Sequence, residues 1–94
     1  MSTKTIAPGS RIDYQVDWAA WLQAGEAIST YTIAASGAVT VDTHSLAGSI
    51  ITVWVVCTDD VTEGLPGAVD IDIVTTAGRS DVRRIAFRAG PQVL

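Results

Sequence analysis

The sequence predicts an all-β domain folded as an antiparallel sandwich, and three observations carry that prediction. Apolar and polar residues alternate with period two in several separate segments, the mark of half-buried strands. Those segments are rich in Val, Ile, Thr and aromatic residues, and turn signals separate them about every 8–12 residues. No segment sustains a 3.6-residue apolar period. Six or seven short strands result, with a closed barrel as the alternative closure. At 94 residues the chain has room for one domain, divided as an arm over residues 1–11 and a sandwich over residues 12–94.

Residues 1–11, MSTKTIAPGSR, show no periodicity, and Pro8-Gly9 marks them as an arm rather than an element. From Ile12 the pattern is regular: Ile12, Tyr14, Val16 and Trp18 alternate with Asp13, Gln15 and Asp17. Trp21 and Leu22 are adjacent and cannot share a strand face. Residues 19–25 therefore read as a turn or single helical turn that plugs one end of the core and stops at Gly25. A second strand spans about Glu26 to Ala34. Ile28 and Ile33 differ in parity, which calls for a bulge or a change of face. Ala35-Ser36-Gly37 reads as a turn, Val39 and Val41 as a short third strand, and residues 42–49 as a loop. Ser49 to Cys57 is apolar on both faces, so it is central in its sheet or covered twice. Residues 58–67 form a polar loop ending in Pro66-Gly67. Val69, Ile71 and Ile73 then alternate with Asp70 and Asp72, and Ser80 to Ala89 returns as the last strand. Thr76-Ala77-Gly78 has the form of a three-residue hairpin loop with glycine at the left-handed position. With Thr75 opposite Arg79, that loop sets Asp70 opposite Arg84 and Val69 opposite Ile85, and Phe87 continues the inner stripe. Trp18 and Trp54 are expected to fill the space between the sheets.

Composition excludes several functions. Apolar residues make up 48% of the chain and charged residues 17%, a balance that argues against intrinsic disorder. The net charge is −4, which argues against nucleic acid as a partner. The longest apolar run falls far short of the roughly 20 residues a membrane helix needs, so no membrane partner is expected. No basic segment precedes an apolar one as in a signal peptide. Charge is also unevenly placed. Residues 1–78 set Lys4 and Arg11 against nine acids, a balance of −7; residues 79–94 set Arg79, Arg83, Arg84 and Arg88 against Asp81, a balance of +3. Arginine pairs with carboxylates in a bidentate, pre-organised way. These side chains therefore either pair with the chain's own acids or reach a neighbouring subunit. A surface almost without lysine favours packing against a partner. The candidate interface is Ile6, Pro8, Arg11, Arg79, Arg83, Arg84 and Arg88.

Reactive constellations are scarce. His44 is the only histidine, and Asp42, His44 and Ser45 lie in one predicted polar loop, whereas a catalytic triad draws on distant elements. Asp42 and His44 alone cannot complete a metal site. Asp59, Asp60 and Glu63 share a loop that calcium or solvent would suit, but the spacing is not that of a calcium-binding loop. Asp13 and Asp17 share the outward face of a strand, far from any cleft the pattern defines. The single cysteine, Cys57, ends an apolar strand and reads as a small buried hydrophobe, in keeping with folding in a reducing cytoplasm. No catalytic residue, metal or cofactor is expected.

Two sets of residues resemble a known group. Asp13-Tyr14-Gln15-Val16-Asp17-Trp18, followed by Trp21-Leu22 and Gly25-Glu26, resembles the opening of small β proteins encoded among the virion genes of tailed bacteriophages. Val53-Trp54-Val55 and the hairpin from Thr75 to Arg83 resemble their second half. The resemblance covers roughly residues 12–88. It implies a single immunoglobulin-like domain and a structural role of the head-decoration or head-fibre type. It assigns no catalytic residue. The implied partners are the major capsid protein and neighbouring copies of the chain. The implied location is the capsid surface, after synthesis in the bacterial cytoplasm. The alternative is a neck, tail or fibre accessory domain with a host-surface glycan as ligand, for which Trp21 and Tyr31 are the available aromatics; core-edge positions are their other reading. This chain departs from the group in its polar loop at residues 58–67 and in its arm.

Overall fold

The computed structural model describes residues 3–58 and 64–90. They form β1 (Lys4–Ile6), β2 (Arg11–Asp17), β3 (Ile28–Gly37), β4 (Val39–Ala47), β5 (Ile50–Cys57), β6 (Pro66–Thr75) and β7 (Ser80–Ala89). One sheet has the order β1-β7-β6-β3 and the other β2-β5-β4. The result is an open two-sheet sandwich, not a closed barrel. All pairs are antiparallel except β1 with β7. β2, β5 and β4 take the places of strands B, E and D of an immunoglobulin-like domain, and β3, β6 and β7 those of C, F and G.

The core follows from the pleat. β5 buries Ile51, Val53, Val55 and Cys57 and leaves the residues between them half-buried, as a central strand flanked by β2 and β4 must. Opposite lie Val69, Ile71 and Ile73 of β6 with Ile85, Phe87 and Ala89 of β7. Trp18 is fully buried where the chain leaves β2, and its indole Nε1 donates to Asp81 Oδ2 at 3.1 Å. Residues 18–26 then make the expected plug. The amides of Trp21 and Leu22 both donate to the Trp18 carbonyl at 2.9 Å, and Gly25 takes φ 77°.

The β6–β7 register is the expected one: Asp70 faces Arg84 and Val69 faces Ile85. Gly78 takes φ 82°, and the Thr75 amide donates to the Arg79 carbonyl at 2.8 Å. The parity break in β3 is a register shift between Ile28 and Thr30.

Four features differ from expectation. Residues 42–49 are not a loop, because β4 continues to Ala47. A register shift between Val41 and Thr43 moves the inward positions by one, onto His44 and Leu46 opposite Val53 and Ile51; few apolar residues mark the strand, so alternation fades. Ala35 and Ser36 are not a turn but the end of β3, and the reversal falls at Gly37, φ 70°. Trp54 is not between the sheets. It sits on the outer face of β5, because the other parity of that doubly apolar strand faces inward. Residues 1–11 contain an element: β1 lies parallel to β7, with Ile6 fully buried and its carbonyl accepting the Gly90 amide at 3.0 Å. Asp59, Asp60 and Glu63 lie outside the described residues.

Candidate interaction surface

The arginines define the charged surface, and the fold gives most of them partners within the chain. At the end closed by the β6–β7 hairpin, the chain passing from β2 to β3 brings Glu26 under Arg79. Arg79 Nε lies 2.9 Å from Glu26 Oε2, and a second guanidinium nitrogen reaches Oε1. The Thr75 hydroxyl donates to Oε2 at 2.6 Å and the Gln23 amide to Oε1 at 2.9 Å. The Glu26 side chain is only 3% exposed. These donors, the Arg79 guanidinium first, hold its carboxyl at about 2, well below its ordinary 4.5. The same pairing raises Arg79. The guanidinium also stacks 4.1 Å above the Trp21 ring and donates to the Trp21 carbonyl at 3.1 Å.

Beside it, Arg83 lies 4.7 Å from the Trp18 ring centre, 3.6 Å from Asp81, and donates to the Asp17 carbonyl at 3.1 Å. Asp17 accepts from the Ser49 hydroxyl at 2.7 Å and the Ala19 amide at 2.8 Å, and these bonds lower its pKa. On the other sheet, Arg11 covers Trp54 at 4.3 Å and pairs with Asp42 at 2.7 Å. Arg84 grips Asp70 with two nitrogens at 2.7 and 2.9 Å, which lowers the Asp70 pKa and raises that of Arg84. Arg88 instead donates to the Gly64 backbone carbonyl at 3.1 Å.

Of the candidate interface residues, Ile6 belongs to the core and presents no surface, since its side chain closes the sandwich beneath β1. Pro8 is half-buried in the β1–β2 connection. Arg11, Arg79, Arg83 and Arg84 each hold a carboxylate of this chain. The structure does not gather them at one place: Arg11 lies on the β2-β5-β4 sheet and the others along β7 and its hairpin.

The triad reading finds no support in the geometry. Asp42 points to Arg11, while His44 Nδ1 bonds the Tyr31 hydroxyl at 2.9 Å across the open side of the sandwich. Trp21 and Tyr31 are both half-buried against the core. Two shallow depressions mark the surface. One, of about 420 Å³, crosses the outer face of β3, β6 and β7 where Ser36, Gly67, Ala68 and Ala86 leave little side chain, with Arg84 and Arg88 at its rim. The other, of about 300 Å³, lies at the side between β2 and β7, among Lys4, Tyr14, Val16, Arg83 and Ile85. Sequence pattern does not foresee the first depression, because small residues on an outer face carry no periodic signal, nor the second, because it joins β2 and β7 from opposite ends of the chain.

A small sandwich of this kind, with its ionic groups turned on one another, suits a structural component. The family model described as "Podophage GP4 fiber-tail adaptor protein gp77" matches residues 7–88, from just after β1 to near the end of β7. The chain is a bacteriophage virion structural protein. It belongs to the podophage GP4 fiber-tail adaptor protein gp77 family. No curated protein matches it significantly. The family's description names a fiber-tail adaptor and not head decoration. The match does not specifically support a capsid-cement role, the major capsid protein as partner or the capsid surface as location, and its description fits the alternative of a tail or fibre accessory better.

Proposed function

We propose that this chain is a structural adaptor at the junction between the phage tail and its fibre, and that it works by binding alone, without catalysing a reaction. The match over residues 7–88 carries the reading, because it spans nearly the whole sandwich rather than one motif. The side-chain arrangement supports it. The carboxylates most firmly held, Glu26, Asp17 and Asp70, are fixed by donors of this chain and not aimed into a cleft. We assign the partner contact to the outer face of β3, β6 and β7, where the small-residue depression would receive a ridge of the partner and Arg84 and Arg88 would meet its polar rim.

The test is made on particles. Phage assembled without this protein should have filled heads and tails but no attached fibres, and the protein should be present in tens of copies or fewer. Hundreds of copies, or intact fibres in its absence, overturn the assignment. Arg88→Glu should lower fibre attachment while leaving the circular dichroism of the isolated protein unchanged; normal attachment by that variant removes this face from the proposal.

A further inference from the structure

Four strands end a sheet in this molecule: β1, β3, β2 and β4. Three are protected in the ways soluble proteins use against unwanted strand pairing. β1 is three residues long and carries Lys4. β2 carries Arg11, Asp13 and Asp17. β4 carries Asp42 and is broken by the register shift between Val41 and Thr43. β3 has none of this. Its ten residues, ISTYTIAASG, include no charge and no proline. Its one irregularity lies at its start, and from Thr30 to Gly37 it runs in unbroken register with β6. Among the described residues it is hydrogen-bonded to β6 alone, so its other edge offers a row of backbone donors and acceptors.

The inner side of the same strand is incompletely covered. Tyr31, Ile33 and Ala35 stand opposite Ile73, Ile71 and Val69, which are all fully buried, yet Tyr31 and Ile33 are only half-buried and Ala35 is exposed. An added strand would shield these three from the side.

We propose that this edge pairs with the same edge of a second copy, β3 running antiparallel to β3 about a two-fold axis at Ile33. The strand is complementary to itself in that register. Ile33 meets Ile33, and Tyr31, the largest side chain of the strand, meets Ala35. On the outer face Thr32 meets Ala34 and Thr30 meets Ser36. No charge enters the pair, whereas β1, β2 and β4 each carry at least one charged residue. The product is one continuous sheet across two sandwiches, ended on both sides by the short, lysine-bearing β1, so the contact is isologous and closes at the dimer. Stable protein interfaces start at about 1,200 Å², and a single strand pair is a small contact by that measure, so association is concentration-dependent. Each copy carries a net charge of −4. Salt screens the repulsion between copies without weakening an uncharged contact, so pairing strengthens as ionic strength rises.

A single cysteine tests the register. Residues directly opposite in an antiparallel pair have Cα atoms about 4.5–5.5 Å apart, within the roughly 4.4–6.8 Å that a disulfide spans. Ile33→Cys, oxidised at high protein concentration, should give a species of twice the 9.8 kDa chain mass, with the bridge mapped to position 33 by mass spectrometry. Ser36→Cys alone should cross-link at least tenfold more slowly, and should recover when mixed with Thr30→Cys. The double variant Thr32→Lys, Ala34→Lys changes only exposed outward positions and should sediment as a monomer with unaltered circular dichroism. Equal cross-linking at positions 33 and 36, association that weakens with salt, or a double variant that still dimerises overturns the proposal. So does an edge that captures a strand from another virion protein while never pairing with itself.

Discussion

Each of the three tryptophans in this chain lies against an arginine: Trp18 with Arg83, Trp21 with Arg79 and Trp54 with Arg11, at 4.7, 4.1 and 4.3 Å from ring centre to guanidinium. A planar guanidinium covers an aromatic face and keeps its edge donors for carboxylates, which a lysine ammonium cannot do. The arginine-rich composition is thereby explained at the residue scale, since three of the six basic residues cover the faces of indoles. Arg79→Lys should therefore lower the thermal midpoint more than Arg88→Lys, whose parent donates to a carbonyl and, among the described residues, stacks on no ring. Glu26 adds a pH dependence. Its folded value of about 2 lies below the ordinary 4.5, so the unfolded chain takes up its proton first as pH falls. The stabilisation is complete above pH 4.5 and is lost progressively toward pH 2. Urea midpoints measured across that window should fall steeply for the parent protein. They should fall less for Glu26→Gln, which leaves the smaller slopes of Asp17 and Asp70, both also lowered on folding. Parallel acid limbs for the two proteins would show that Glu26 is not held as described.

At the scale of elements, the turns separate what is forced from what is tolerated. Gly37 (φ 70°) and Gly48 (φ 61°) both take left-handed conformations, but their surroundings differ. A Cβ at Gly48 meets open space, whereas one at Gly37 would lie 2.2 Å from the Pro66 carbonyl oxygen. Gly48→Ala should cost about 1–2 kcal/mol for the left-handed backbone alone. Gly37→Ala should cost that and a further overpacking penalty of about 1–3 kcal/mol, because the start of β6 must move; equal losses in chemical denaturation would remove the close approach as a cause. Ile6→Ala should cost about 2–5 kcal/mol, as for other fully buried aliphatic side chains, although it changes a three-residue strand near the chain terminus. How far these elements could be read from sequence depends on how local their signals are. The β6–β7 register was legible because Thr76-Ala77-Gly78 fixes it within a few residues, and with it the Asp70–Arg84 pair. β1 was not, because its pattern is three residues long and its partner lies at the other end of the chain. β4 was obscured by a parity shift among polar residues, and Trp54 by a strand apolar on both faces. The Arg79–Glu26 pair joins residues 53 apart through a connection that crosses from one sheet to the other, so no spacing rule reaches it.

The whole molecule is longer than its mass suggests. Its radius of gyration is 14.4 Å, against about 12 Å for a compact chain of this length, and it measures 44 × 22 × 19 Å. Apart from the three-residue β1, strands of seven to ten residues laid side by side in two thin layers produce that shape. So long a body invites the idea that its two sheets, or its two ends, unfold apart. Topology argues against it. The chain changes sheet four times, between β1 and β2, β2 and β3, β3 and β4, and β5 and β6. No contiguous fragment therefore holds one sheet without a strand of the other, and a sheet alone would leave its inner apolar face in water. One core cluster joins both layers, from Ile51, Val53 and Val55 on one side to Ile71, Ile73 and Phe87 on the other. Unfolding should thus be a single cooperative event. The tryptophans supply the test, because Trp18 reports the core, Trp21 the plugged end and Trp54 the outer face of the second sheet. In single-tryptophan variants, with the other two replaced by phenylalanine, each fluorescence transition in urea should coincide with that of far-ultraviolet circular dichroism within its own variant. A Trp54 transition that precedes the dichroism change would mean that the β2-β5-β4 sheet loosens first, and that the interleaved connectivity does not make the two layers one folding unit.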